Sequence, residues 1–83
     1  MPRIPRNIVG PQVRQLRYKV GLSQPALAAK CQRLGWDIGR DTIAKIEGRS
    51  RWVGDEELVH LARSLGVGLE KLFPEPVRRS LRG

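Results

Sequence analysis

The chain is poor in the residues that most chemistry needs. It has one cysteine, Cys31, and one histidine, His60, among its 83 residues. A single thiol closes no internal disulfide, which points to a reducing, cytoplasmic setting. A metal site needs several ligands at fixed spacing, and one His with one Cys does not supply them. The same scarcity leaves no Ser-His-Asp or Cys-His arrangement. No catalytic residue, metal or cofactor is therefore assigned, and the chain reads as a non-enzyme. Aromatic residues make up 5%, too few to interleave with basic ones as in single-strand nucleic-acid binders. No apolar run approaches the roughly 20 residues of a membrane span. The opening "MPRIPRNIVG" lacks a signal-peptide-like apolar run. No strand pattern and no internal repeat is visible.

Acidic residues are the other shortage. Eight Asp+Glu face sixteen Lys+Arg, a net charge of +8, with Arg far outnumbering Lys. Such an excess points to a polyanionic partner, nucleic acid first and an anionic membrane surface second. The membrane reading lacks a basic amphipathic helix with a large apolar face. Composition is otherwise that of a globular domain, 40% hydrophobic and 29% charged. A chain this short buries only about 60% of its unfolded surface. That gives one core and no deep catalytic cleft.

What is present is a series of short helical patterns. In "PQVRQLRYKV", Val13, Leu16 and Val20 form one stripe, with Pro11 suited to the first turn and Gly21 to the end. In "GLSQPALAAKCQRLG", Ser23 is a natural N-cap and Pro25 fits the first turn, where no N–H is required. Gly35 closes this unit. In "IGRDTIAKIEG", Ile38, Ile43 and Ile46 form the inward stripe, and Arg40, Asp41, Ala44 and Lys45 point the other way. In "DEELVHLARSLG", Asp55, Glu56 and Glu57 suit the positive end of the helix dipole, and Leu58, Leu61, Ala62 and Leu65 form the apolar face. "GLEKLFP" adds a short fifth helix with Leu69, Leu72 and Phe73 facing in. The expected fold is all-α, a compact bundle of about five short helices. The second and third, joined by a short connection, have helix-turn-helix character, and the second helix of such a pair enters the DNA major groove.

The ordered set "GLSQPALA", "DTIAKIEGRSR", "LVHLARSLGV" and "LEKLF" resembles the phage-repressor/Cro-like, or XRE-like, helix-turn-helix family over about residues 11 to 73. The resemblance implies a lambda-repressor-like fold with the recognition helix at about 40–47. By the same resemblance, Gln24 contacts backbone phosphate. Arg40, Asp41, Thr42 and Lys45 face base edges or neighbouring phosphates, and the loop residues Arg49 and Arg51 meet phosphates. Arg17 would pair with Glu47 to brace the recognition helix. The chemistry agrees: Arg takes guanine O6 and N7 in a two-pronged bond, Lys does so less rigidly, and Asp accepts from cytosine N4. For Asp41 a second reading stays open, a brace for Arg40 or Lys45. For Arg17 and Glu47 the plain alternative is a surface ion pair worth at most about 1 kcal/mol.

Two features depart from the family pattern. The connection "KCQRLGWDIG" is about three residues longer than the family's tight turn, so the second helix is expected to extend, with Leu34 and Trp36 packed beneath the turn. Gly39 stands where the family has a capping Ser or Thr, with Asp37 placed to assist from just outside. Trp36 and Trp52 read as packing or rim residues rather than base-stacking ones, Tyr18 as a cover for the first helix, and Cys31 as a small apolar residue. Arg3 and Arg6, and likewise Arg78, Arg79 and Arg82, fit either a backbone-tracking arm or a solvated tail.

The domain reading is a basic arm at 1–10, the DNA-binding domain at 11–73 and a polar, basic tail at 74–83. The function expected is a sequence-specific double-stranded DNA-binding regulator of prokaryotic or phage type, cytoplasmic and homodimeric. The alternative is an antitoxin-like module with a protein partner that also binds DNA.

Overall fold

The computed structural model describes residues 6–81. Arg3 and Arg82 of the expected arm and tail lie outside the described residues. Among those described, the elements are α1 (Gly10–Lys19), α2 (Gln24–Arg33), α3 (Arg40–Glu47), α4 (Asp55–Leu65), a 3-10 turn (Leu69–Leu72) and α5 (Glu75–Leu81). The all-α bundle is as the sequence implied.

Local chemistry sets most of the boundaries. Ser23 Oγ accepts from the Ala26 N–H at 3.1 Å, which satisfies a free donor at the start of α2. Gly21, Gly35 and Gly66 take positive φ after α1, α2 and α4. There the reversed chain returns its N–H groups to the helix: Leu22 N to Arg17 O at 3.0 Å, Trp36 N to Cys31 O at 2.9 Å and Val67 N to Ala62 O at 3.0 Å. At the start of α4, Glu57 Oε1 accepts from the Gly54 N–H at 3.0 Å. Acids crowd that first turn, as the helix dipole favours.

The core is aliphatic. Val13, Leu27, Ile43, Ile46, Leu61 and Leu72 are fully buried, with Cys31 and Ser64 among them. Each such aliphatic side chain contributes about 1.5–3 kcal/mol by leaving water. The Ser64 hydroxyl donates to His60 O at 2.8 Å and lies 3.2 Å from Cys31 Sγ, so this buried polar atom is satisfied. Burial pushes the Cys31 thiol up from its ordinary value. The helix α3 rests on both α1 and α2, which fixes its orientation on the bundle surface.

Several expectations are corrected by the packing. The second helix does not extend: Gly35, at φ 98°, ends it after Arg33. The extra residues form an irregular connection, tightened where Ile38 N donates to Trp36 O at 3.0 Å and held where Gln32 Nε2 donates to Ile38 O at 2.6 Å. Trp36 does pack there, its ring stacked on His60 with centroids 5.6 Å apart, but Leu34 is exposed. Gly39 caps α3 without a side-chain hydrogen bond. Leu69 is exposed at the entrance of the 3-10 turn, whereas Leu72 is buried. Tyr18 is exposed rather than a cover, with the Arg14 and Arg17 guanidinium groups 5.7 and 4.6 Å from its ring centre. Residues 75–81, read as tail, are helical and carry ion pairs from Glu75 to Arg78 at 2.8 Å and to Arg79 at 3.8 Å. At the other end, the segment from Arg6 to Val9 is bound to the α3–α4 loop through the side chain of Asn7.

Candidate nucleic-acid interface

The periodicity of α3 divides its side chains into two sets. Ile43, Ile46 and Glu47 are buried, while Arg40, Asp41, Ala44 and Lys45 are exposed and Thr42 is half-buried. The exposed set forms a polar ridge. Its backing is an ion pair rather than an apolar seam alone. Arg17 Nε donates to Glu47 Oε2 at 2.6 Å and Arg17 Nη2 donates to Glu47 Oε1 at 3.0 Å. Arg17 Nη1 also donates to Leu22 O at 2.9 Å, and Gln24 Nε2 donates to Glu47 Oε1 at 3.2 Å. The side chains of the pair are 7% and 4% exposed, so a surface ion pair is excluded. Residues from α1, α2 and α3 thereby share one buried carboxylate. The Glu47 hydrogen bonds raise the Arg17 guanidinium still further above its ordinary value.

The ridge stands between two open notches. One, of about 490 Å³, is bordered by Arg14, Arg17, Tyr18, Ser23, Gln24, Ala44 and Glu47. The other, of about 520 Å³, is bordered by Arg6, Thr42, Lys45, Ser50, Arg51, Trp52 and Glu57. With Glu47 neutralised inside, Asp41 is the exposed acid on α3. Arg40 Nε lies 3.7 Å from Asp41 Oδ1 with both side chains largely in solvent, too long for a hydrogen bond. Arg40 is thus loosely paired with Asp41, and among the described residues no ion pair or hydrogen bond holds the Lys45 side chain.

The loop after α3 is built to a definite shape. Arg49 has φ 64°, a left-handed conformation unusual for a residue with a side chain. It lets Ser50 N return to Lys45 O at 3.0 Å and Arg49 N to Ile46 O at 3.0 Å, closing the end of α3. Arg49 Nε donates to Asn7 O at 3.2 Å and the rest of its exposed guanidinium faces solvent. The two loop arginines thus differ. Arg51 donates through Nη1 and Nη2 to Glu57 at 2.9 Å each, and through Nη1 to Trp52 O at 2.7 Å. The Arg51 hydrogen bonds lower the Glu57 carboxyl below its ordinary range, with the Gly54 N–H adding to the effect.

Asn7 is a residue that the sequence reading missed. Its Nδ2 donates to Ile46 O at 3.1 Å and Arg51 O at 2.8 Å, and its Oδ1 accepts from Gly10 N at 2.7 Å. One side chain thus starts α1 and ties it to the end of α3. The local signal was an Asn three residues before "GP", a pattern that favours an Asx-type turn into a helix. Its long-range partners had no signal. Trp52, read as packing or rim, is 73% exposed and so has no place in the core.

No protein-family model matches the sequence, nor does the sequence of any curated protein. Solved structures do match. The restriction-modification controller protein C.AhdI from Aeromonas hydrophila superposes with a TM-score of 0.70 at 29% identity, over 78% of this chain and 87% of that one. The DNA-binding domain of BldD gives a TM-score of 0.71 at 26% identity, over 89% of this chain and all of that one. A hypothetical transcription factor, NHTF from Neisseria, gives 0.73 at 21% identity, over 100% and 97% of the two chains, a likeness of fold alone. The α2–α3 pair is a helix-turn-helix, and the fold is that of the phage-repressor/Cro-like (XRE-like) helix-turn-helix family. Among the described residues no helix is long and apolar enough to cross a membrane.

Proposed function

We propose that the chain is a sequence-specific double-stranded DNA-binding transcription regulator, acting in the cytoplasm as a homodimer, and not an enzyme. One observation carries this reading: the exposed ridge of α3 is oriented by the buried Arg17–Glu47 pair and flanked by two basic notches. The relatives in fold whose names mention DNA binding or control of a restriction-modification system support it.

In this reading α3 lies in the major groove. Arg40 reads guanine through O6 and N7, and Asp41 selects for cytosine N4 while resisting nearby phosphate. Thr42 follows directly and Lys45 stands about one turn further on; both contact base edges or phosphates. Gln24, at the start of α2, and Arg49 hold the backbone on either side. Arg51 serves chiefly to shape the loop, since Glu57 already takes its two terminal nitrogens. Homodimerisation places two copies of α3 about one helical turn apart, matching a two-fold operator.

The test is a titration of duplexes with Arg40→Ala. Affinity for a preferred site should fall by about 1–3 kcal/mol, with little change on random duplex. Equal losses on both would reduce Arg40 to a phosphate contact. A second reading, an antitoxin-like module with a protein partner, is favoured by a cleft of about 680 Å³ bordered by Gln12, Gln15, Leu16, Val20, Leu65 and Val67, with Lys19, Lys71 and Arg78 at its edges to suit an acidic partner. It lies on the face of α1 away from Arg14, Arg17 and Tyr18. Such a partner would leave the α3 ridge open.

A further inference from the structure

We infer that Trp52 is a DNA-positioning residue, packing its indole against the deoxyribose of the strand that crosses the Lys45 notch. The inference rests on the DNA-binding reading above and adds an apolar contact to it.

Trp52 is 73% exposed, an unusual cost for the largest side chain in a small domain. Its exposure is built in. The carbonyl of the preceding residue accepts from Asn7 Nδ2 at 2.8 Å, and the Trp52 carbonyl accepts from Arg51 Nη1 at 2.7 Å. Arg51 is itself locked to Glu57 by two hydrogen bonds of 2.9 Å. The following residue, Val53, packs against the core. The chain is therefore pinned on both sides of an indole that points into solvent.

The surroundings indicate the partner. Trp52 borders the same notch as Thr42, Lys45 and Arg6, beside the α3 ridge, and also a smaller apolar one with Ile8, Val53, Leu58 and Phe73. A basic notch with one large apolar wall suits a sugar-phosphate chain better than an apolar protein surface. In a duplex the bases are already stacked, and the deoxyribose is the apolar face that the backbone offers. Tryptophan matches such a boundary, with an apolar body and one N–H donor that can reach phosphate. The contact would add affinity that salt does not screen, in contrast to Lys45 and Arg49.

The experiment uses the full chain and a mixed-sequence duplex spanning about three helical turns. Trp52→Ala should bind roughly tenfold more weakly, an effect within the range of aromatic contacts to nucleic acid. Its dependence on salt should be unchanged, because no cation is lost. Trp52→Phe should regain most of the affinity. In a Trp36→Phe background Trp52 is the remaining tryptophan, and its emission should change on saturation with duplex. If Trp52→Ala binds like the wild type and Trp52 emission ignores bound duplex, the inference is overturned while DNA binding stands. If Trp52 emission responds instead to protein concentration, the indole meets a second copy, and the inference again falls. If the wild-type chain binds no duplex at all, the DNA-binding reading fails first and takes this one with it.

Discussion

Arg17 on α1 and Glu47 at the end of α3 meet through two hydrogen bonds, at 2.6 and 3.0 Å, while both side chains are almost fully buried. The pair ties the end of α3 to α1. Removing one member leaves a buried charge without its partner, which costs about 3–5 kcal/mol. Arg17→Ala and Glu47→Ala should each lower the stability measured by urea unfolding by about that amount. The double variant Arg17→Met, Glu47→Leu should recover much of the loss, though Leu22 O still loses its donor. Additive losses in the double variant would mean the two residues act separately.

A second prediction concerns Gly10. A Cβ there would overlap the Ile46 carbonyl oxygen and lie 2.9 Å from the Glu47 carbonyl oxygen. Neither backbone atom can move without shifting the end of α3. Gly10→Ala should therefore cost about 3 kcal/mol, at the upper end for added core volume. Gly39 has open space around it and an ordinary negative φ. Gly39→Ser should instead raise stability by a few tenths of a kcal/mol, by supplying the missing cap hydroxyl. Comparable losses at both positions in denaturant titration would contradict this packing.

How much of this was legible in the sequence differs by residue. Ser23, Gly21, Gly35 and Gly66 announce helix ends because capping is a matter of a few neighbouring atoms. The exposed face of α3 followed from the spacing of its isoleucines. The pairing of Arg17 with Glu47 spans 30 residues and came from the family resemblance alone. The roles of Asn7 and Gly10 depend on where the far end of α3 arrives, which no local pattern encodes. The helix at 75–81 was hidden because none of its residues is buried. Its signal lay in charge spacing instead, Glu75 three and four residues before Arg78 and Arg79.

The left-handed backbone of Arg49 suggests a trade between stability and binding. A residue with a Cβ at φ 64° carries about 1 kcal/mol of strain that glycine does not. Arg49→Gly should raise the unfolding midpoint slightly and weaken binding to every duplex alike, with the salt slope reduced by about one. An unchanged slope would move Arg49 off the phosphates.

The Arg51–Glu57 pair should give the fold an acid-sensitive step. Arg51 holds the Glu57 carboxyl below its ordinary value. A group whose pKa is depressed in the folded state stabilises above its unfolded value, about 4.3, and the gain is lost as the pH falls through the folded value. Stability should thus be level from neutral pH down to about 5 and decline below that, less steeply in Glu57→Gln. The pair is partly exposed, so high salt should shrink the difference. An acid limb identical in both proteins would show that other carboxylates control it.

The most direct measurement is selection of bound duplexes from a random DNA pool at moderate salt, followed by sequencing. An α3 ridge that reads bases in a homodimer predicts an enriched motif with two-fold symmetry, which Arg40→Ala degrades at one position in each half. Tight, salt-sensitive binding with no enriched motif would contradict it, leaving a domain that grips DNA by charge while its third helix reads nothing.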